Sequence, residues 1–310
     1  VVVKSFEDKY IDDYIRKLGF KNIVCNTPRY GERLAVGIEE SSGDVLAFLE
    51  DDDEFKQEKL SEVYKAFSQY RGISYFHDTR EFIYHDRPVD IGNAEPSLKW
   101  FVEFLEKITP HYDAVLNPFD KKAADFLAIY HGVLAGVSSM SAKRECIENK
   151  LDLLKRIRIE VESFIPIIAA ECGLLYHTGK RLTRYRIHDS NTSIGFTRRD
   201  QVRVFAYFMS SIEDTRLLLA STSSKNHVRE TIKVGMLKAK LSLYFAPDDI
   251  KRLLGYREQV LEALKDALEL CKLERHTLKG CALDLMSVLY NGLPLKPISR
   301  QTLRKIVGRG

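Results

Sequence analysis

Five apolar residues, 45–49, lead directly into five consecutive acids, of which the first four, Glu50, Asp51, Asp52 and Asp53, are called the acidic run. An uninterrupted apolar run of this length is typical of a strand buried on both faces of a sheet. Four adjacent carboxylates repel one another, which costs stability unless a cation or basic groups lie close. The feature therefore favours a sheet with an acidic, cation-binding edge over a solvated acidic turn.

Strand and helix patterns alternate through the first part of the chain. Apolar runs predict strands at residues 1–3, 22–25, 45–49 and 73–76, and amphipathic stripes predict helices at residues 7–18, 31–40 and 59–70. This alternation is typical of a doubly wound α/β sheet, whose ligands bind beyond the carboxyl ends of the strands. The acidic run falls at such an end.

The pattern changes near residue 195, and from residue 201 onward it is almost wholly helical. We therefore predict two domains, a catalytic α/β domain over residues 1–195 and a helical C-terminal domain over residues 196–310. The single tryptophan, Trp100, falls on an amphipathic stretch at residues 98–108. We expect it to pack in a helix interface, because aromatic side chains dominate cores.

Charge and cysteine content argue against several classes of protein. The 48 basic and 44 acidic residues leave a net charge of +4, which does not indicate nucleic-acid binding. The five cysteines are scattered and have no CxxC spacing, so we expect them to be reduced thiols in a cytoplasmic protein. No apolar run approaches the length of a membrane span. The basic segment 296–310 contains no acid and is expected to be solvated, or else to meet phosphate or an anionic membrane surface.

The spacing of the acids indicates metal chemistry. Two acids separated by one residue at a strand end point the same way and can share a divalent cation. Asp51 and Asp53 have this spacing, and so do Glu50 and Asp52, so the sequence leaves both pairs open. Mg²⁺ and Mn²⁺ prefer such hard oxygen ligands and neutralise the charge that develops on a departing diphosphate.

Two segments carry a resemblance to a known family. Residues 37–53 place a glycine, a short helix, Gly43 and an apolar strand before the acids, and this order resembles the core of the family 2 glycosyltransferases. Tyr185, Arg186 and His188, followed by Asn191 and Ser193, resemble the YRxH motif of the same family. The resemblance covers about residues 1–195. It implies a GT-A (Rossmann-like) mixed sheet flanked by helices, with a mostly helical C-terminal region beyond it.

The resemblance implies a metal-dependent, inverting transfer of a sugar from a nucleotide-diphosphate sugar to an acceptor hydroxyl. The implied cofactor is Mn²⁺ or Mg²⁺, with Asp51, Asp53 and His188 as the expected ligands. The expected donor-binding residues are Lys4, Ser5, Gly31, Arg33, Gly37, Asp51, Asp52 and Arg186. Glu162, with Glu160 as its neighbour, matches the position of the family's general base, although the family usually has aspartate there. A base is needed to remove the proton of the acceptor hydroxyl.

The sequence departs from the family pattern at its beginning. Lys4 and Ser5 stand where an aspartate that contacts the nucleotide base is usual, so the identity of the nucleotide stays open. The family also begins with a strand and helix ahead of the segment that opens this chain. We therefore expect that an N-terminal strand is missing from the sequence.

Other functions are compatible with parts of this pattern. A sugar nucleotidyltransferase would need a GxGxR-type loop, which these residues lack, and a non-catalytic glycosyltransferase-like module would bind a partner through its helices. The QxxRW motif of the processive polymerases is missing too, so we expect single additions. Expected partners are the sugar donor, a glycan or lipid-linked acceptor, and either a second copy of the chain or the cytoplasmic membrane face, met through the C-terminal helices.

Overall fold

The computed structural model describes residues 1–188, 198–222, 226–257 and 260–273. The chain divides into two compact units, one formed by Val1–Ile194 with Asp214–Thr231 and the other by Gly195–Glu213 with Ile232–Gly310. The predicted fold class is confirmed, because a mixed sheet flanked by helices is followed by a helical C-terminal part. The assignment of separate roles to residues 1–195 and 196–310 stays a prediction.

The described strands of the first unit form two sheets. Two parallel strands, β1 (Val2–Lys4) and β2 (Asn22–Val24), make the smaller sheet. The larger one contains β3 (Val45–Ala47), β4 (Glu54–Phe55), β5 (Ile73–Tyr84), β6 (Arg87–Pro88), β7 (Ala114–Leu116), β8 (Met140–Lys143) and β9 (Leu174–Ile187). Its main path runs β3-β8-β5-β9-β4, with β6 beside β5 and β7 beside β9.

The centre of the larger sheet is the parallel pair β5 and β9. The pairing runs from Ile73 opposite Leu174 to Tyr84 opposite Ile187, with register shifts around Thr79. β8 is antiparallel to both β3 and β5, which makes the sheet mixed. Because β9 ends at Ile187, the parallel pairing brings the YRxH segment to one end of the sheet.

Helices with local sequence signals form close to where they were predicted. The helices of the first unit before residue 198 are α1 (Lys9–Lys17), α2 (Tyr30–Glu39), α3 (Lys59–Gln69), α4 (Pro96–Lys107), α5 (Lys121–Ile129), α6 (Arg144–Glu148), α7 (Leu151–Leu154) and α8 (Val161–Ala169). Two short 3-10 helices span His131–Leu134 and Val137–Ser139. The Asp8 side chain caps α1 by accepting a hydrogen bond from the backbone N–H of Ile11 at 3.0 Å.

The expectation for Trp100 is wrong. Helix α4 buries Leu98, Phe101 and Val102, and this spacing leaves Trp100 on the opposite face. Its side chain is 65% exposed and stacks on Phe104 with ring centroids 5.6 Å apart.

β5 and β6 are joined by a hairpin whose two turn residues, His85 and Asp86, both have positive φ angles of 49° and 58°. A two-residue turn of this geometry matches the right-handed twist of the strands, and it usually contains glycine or asparagine. Here neither residue is glycine, so the backbone is strained at both positions.

The helical part contains α9 (Arg198–Ser221), α10 (His227–Tyr244), α11 (Asp248–Leu253) and α12 (Val260–Leu273). In the second unit, α10 and α12 share an apolar core that includes Leu237, Leu241, Ala263 and Ala267. Among the described helices, none is long and apolar enough to cross a membrane. The basic segment 296–310 lies outside the described residues.

The cysteines correct one expectation. Cys25, Cys146 and Cys172 are free thiols, as predicted. Cys271 is disulfide-bonded, so the prediction of wholly reduced cysteines is wrong at this residue.

Candidate functional site

The acidic run follows β3 and turns towards the end of β9. Asp53 is buried, and its Oδ1 accepts a hydrogen bond from the backbone N–H of Arg186 at 2.9 Å. Its other oxygen, Oδ2, is buried without a hydrogen-bond partner among the described residues. Burial raises the pKa of Asp53 to about 6, although the Arg186 N–H and the Ser138 hydroxyl both oppose this rise. A nearby cation would stabilise the ionised form of this buried carboxylate.

Asp52 meets the histidine of the YRxH segment. His188 Nε2 lies 3.0 Å from Asp52 Oδ2, and both side chains are about one-third exposed. The predicted metal ligands were Asp51, Asp53 and His188, but the structure places His188 beside Asp52 and leaves Asp51 exposed. Asn191 and Ser193, which complete the motif, lie outside the described residues.

Arg186 ties the two segments together. Its Nε donates to the backbone oxygen of Asp52 at 2.8 Å, and its Nη2 donates to Glu54 Oε1 at 2.7 Å. The guanidinium also pairs with Asp86 at the tip of the β5–β6 hairpin. A phosphate that binds Arg186 would therefore share the guanidinium with these carboxylates or displace one of them.

Glu50 begins the run in a more enclosed position. Its side chain accepts a hydrogen bond from the Tyr30 hydroxyl at 3.1 Å, and its backbone N–H donates to Ser138 Oγ at 3.0 Å. Burial, followed by repulsion from Glu162, Asp53 and Asp52, raises the pKa of Glu50 to about 8. Sequence reasoning missed Tyr30 and Ser138, because neither belongs to a recognisable motif.

Glu162, the predicted base, lies in the first turn of α8. Its Oε1 accepts a hydrogen bond from the backbone N–H of Gly136 at 2.5 Å, and its charge acts on Glu50. The neighbouring Glu160 is buried and accepts a hydrogen bond from Ser163 Oγ at 2.6 Å. Of these two glutamates, it is Glu162 whose charge acts on the acidic run at Glu50. The backbone N–H of Gly136 holds its carboxylate in place.

A carboxylate that the sequence did not reveal holds the turn before α8. Asp214 Oδ2 accepts hydrogen bonds from the backbone N–H groups of Arg158, Ile159 and Glu160 at 2.9, 2.8 and 3.2 Å. Asp214 lies more than 50 positions further along the chain, on α9, so no local pattern could have identified it. It fixes the segment from which Glu162 projects.

The predicted donor-binding residues near the N-terminus have structural partners. Lys4 is buried and forms an ion pair with Asp12 at 2.6 Å, whereas Ser5 is exposed. A Cβ atom on Gly31 would lie 2.1 Å from the backbone oxygen of Leu154, so close helix packing explains the glycine. Their contact with a donor stays a prediction.

Arg33 and Gly37 line a cavity of about 310 Å³ with residues of β1 and β3. The wall combines the apolar side chains of Val1, Val3 and Leu46 with the polar side chains of Tyr30 and Ser41. A charged diphosphate requires cations or aligned N–H groups, and Arg33 is the cation in this lining. The contact of Arg33 and Gly37 with a donor stays a prediction.

The donor atoms around Asp52 fit a small divalent cation. No group of three or more His, Cys, Asp or Glu side chains is preassembled as a metal site among the described residues. Mg²⁺ and related ions usually take one or two protein carboxylates and complete their shell with substrate phosphates and water. Asp52, the unpartnered oxygen of Asp53 and the imidazole of His188 provide such a partial set.

The fold is similar to that of a glycosyltransferase of known structure. Residues 1–349 of TarS from S. aureus, a glycosyltransferase, superpose with a TM-score of 0.54 over 99% of this chain and 80% of that one, at 10% identity. The chain has a glycosyltransferase-like fold. Likeness at this identity shows the fold alone, and membership of family 2 stays a prediction. No protein-family model and no curated sequence matches the chain.

Proposed function

We propose that the chain is a metal-dependent, inverting glycosyltransferase of the family 2 type, which moves one sugar at a time from a nucleotide-diphosphate sugar to an acceptor hydroxyl. The observation that carries this proposal is the meeting of Asp52 with His188, beside the buried and unpartnered oxygen of Asp53, on a glycosyltransferase-like fold. A buried carboxylate with a further acid beside it is stabilised when a cation lies close.

Asp52 and His188 are the proposed ligands of Mn²⁺ or Mg²⁺, with the neighbouring Asp53 as a further proposed ligand. This choice favours the Glu50 and Asp52 spacing over the Asp51 and Asp53 spacing, because His188 lies beside Asp52. When bound, the cation neutralises the charge that the nucleoside diphosphate gains as it leaves the sugar. Arg186 holds the backbone of Asp52 in place, which fixes the ligand during this change.

Glu162 is the proposed general base. Its carboxylate takes the proton of the acceptor hydroxyl while that oxygen attacks the anomeric carbon on the side opposite the diphosphate. One bond to the anomeric carbon forms as the other breaks, so the configuration inverts. The bond from the Gly136 N–H to Oε1 orients the carboxylate and leaves Oε2 for the acceptor. Glu160 is less suited, because it is buried against Ser163.

The remaining parts of the proposal concern partners. The acceptor is proposed to be a glycan or a lipid-linked molecule. The chain is proposed to act in the cytoplasm, where its C-terminal helices contact the membrane face or a second copy of the chain. The nucleotide and the sugar are left open.

The test is donor turnover with a set of UDP-, GDP- and dTDP-sugars, with Mn²⁺, Mg²⁺ or EDTA, measured as released nucleoside diphosphate. We expect metal-dependent release from one donor, loss of release in Asp52→Asn, and nearly full activity in the matched Asp51→Asn variant. Glu162→Gln should bind the donor normally and lose transfer.

Other outcomes would contradict the proposal. Consumption of added pyrophosphate, with formation of nucleoside triphosphate and sugar 1-phosphate, would indicate a nucleotidyltransferase. A lack of metal-dependent donor binding would refute both enzymes. Loss of activity in Asp51→Asn but not in Asp52→Asn would reverse the assignment of the ligand. Transfer by Glu162→Gln would remove Glu162 as the base.

A further inference from the structure

A fully buried ion pair lies beneath the acidic run. Lys59, at the start of α3, pairs with Asp78 of β5, and both side chains are completely inaccessible to solvent. The ammonium also donates to the backbone oxygens of Ser139 at 3.2 Å and Ser138 at 3.4 Å. It lies 3.4 Å from Thr183 Oγ1 as well. One side chain therefore joins α3, β5, β9 and the 3-10 helix Val137–Ser139.

Two of these elements hold the acidic run. At one end of the run, Ser138 Oγ accepts the hydrogen bond from the backbone N–H of Glu50. At the other end, β9 provides the backbone N–H of Arg186 that binds Asp53. Thr183 lies three residues before Arg186 on β9, and its hydroxyl donates to the backbone oxygen of Ser138 at 3.1 Å. Lys59 thus connects the two supports of the run to each other.

Stability alone is a weak reason for such a pair. Desolvating two charges costs several kcal/mol per ion, and replacing a whole buried pair with apolar residues of similar volume is often neutral or stabilising. An apolar pair could not, however, bind the carbonyl oxygens of Ser138 and Ser139. The Lys59 ammonium therefore gives these backbone carbonyl groups a hydrogen-bond donor that an apolar side chain would not provide.

We propose that Lys59 and Asp78 form a positioning pair, which sets the distance between the two supports of the acidic run and so the geometry of the cation site. The inference rests on the proposed function, since the cation at Asp52 and His188 belongs to it. Lys59 touches neither substrate nor cation in this scheme and acts only through Ser138 and Thr183. Groups that orient metal ligands in this indirect way commonly change metal affinity tenfold or more when removed.

The test measures Mn²⁺ affinity by EPR titration in the presence of the nucleoside diphosphate, together with the melting temperature. Lys59→Met with Asp78→Leu removes both charges at once, because a single substitution would leave a buried charge unpaired. We expect a folded protein whose Mn²⁺ dissociation constant rises about tenfold. The matched control is Lys240→Met with Asp266→Leu, which removes a largely buried pair in the second unit and should leave Mn²⁺ affinity unchanged.

A milder pair of variants covers the case in which the double variant fails to fold. Thr183→Val keeps the shape of the strand residue but removes the hydroxyl between Lys59 and Ser138, whereas Thr183→Ser keeps that hydroxyl. Weaker Mn²⁺ binding in the valine variant, with near wild-type binding in the serine variant, supports the inference. Wild-type affinity in every folded variant of Lys59 or Thr183 overturns it. Failure of the wild-type protein to bind Mn²⁺ with any nucleotide would instead overturn the proposed function.

Discussion

Glu50 should make the protein less stable as the pH rises from about 5 to 8. Its pKa is about 8 in the folded protein, against 4.5 for an ordinary glutamate, because it is buried close to Glu162, Asp53 and Asp52. Between these values the folded protein keeps a proton that the unfolded chain has released, so the free energy of unfolding falls with rising pH. At about 1.4 kcal/mol per pH unit, the full decrease is on the order of 5 kcal/mol.

Glu50→Gln isolates this contribution, because glutamine resembles the protonated acid and does not titrate. Thermal unfolding of both proteins, followed by circular dichroism in EDTA, gives the difference in stability at each pH. The two should melt at similar temperatures at about pH 5, and the variant should melt roughly 10 °C higher at about pH 8. Parallel curves for the two proteins over this range would refute the raised pKa of Glu50.

A cation gives the same reasoning a second test. Mn²⁺ bound at Asp52 would favour the ionised form of the neighbouring Glu50. The melting temperature of the wild-type protein should therefore depend less on pH when Mn²⁺ and nucleoside diphosphate are added. The Glu50→Gln variant should show little change in pH dependence. An unchanged slope in the wild-type protein would mean that the cation binds away from these acids.

Three further predictions concern packing and support. Gly31→Ala should destabilise the fold by several kcal/mol, since its Cβ would lie 2.1 Å from a backbone oxygen. The control, Gly235→Ala, places its methyl group in open space on α10 and should stabilise the fold by about 0.5–1 kcal/mol. Urea titrations measure both changes. Trp100→Ala should change the free energy of unfolding by about 0.5 kcal/mol or less, and the buried Phe101→Ala should cost about 3–5 kcal/mol; equal costs would contradict the exposure of Trp100. Asp214→Ala leaves backbone N–H groups without their acceptor, so it should lower the free energy of unfolding by about 3 kcal/mol and reduce sugar transfer. An unchanged melting temperature would show that Asp214 does not support α8.

Features with local causes could be predicted from the sequence. α2 and α3 begin and end within one residue of their predicted bounds, because their apolar stripes are local properties. The approach of the YRxH segment to the acids was expected from the paired motifs, and the structure shows it at Asp52 and His188. Which acid faces His188 depends on the turn that follows β3. The strand ends at Ala47 rather than at the predicted Leu49.

The supports of the site could not be read from the sequence. Lys59 and Asp78 are 19 positions apart, and Glu50 and Ser138 are 88 apart, so the contacts exist only once the sheet order is known. Trp100 was misplaced for a different reason. The expectation gave more weight to the aromatic character of Trp100 than to the spacing of Leu98, Phe101 and Val102. That spacing alone places Trp100 on the opposite face of the helix.

The hairpin turn at His85 and Asp86 has a consequence for how this site could vary between related chains. Each residue with a left-handed backbone costs about 1 kcal/mol, and glycine or asparagine would relieve it. His85→Gly would release that strain and leave Arg186 as it is, whereas Asp86→Gly would also remove a carboxylate from its guanidinium. Exchanges at one exposed turn can therefore alter the anion affinity of Arg186 while every residue of the acidic run stays the same.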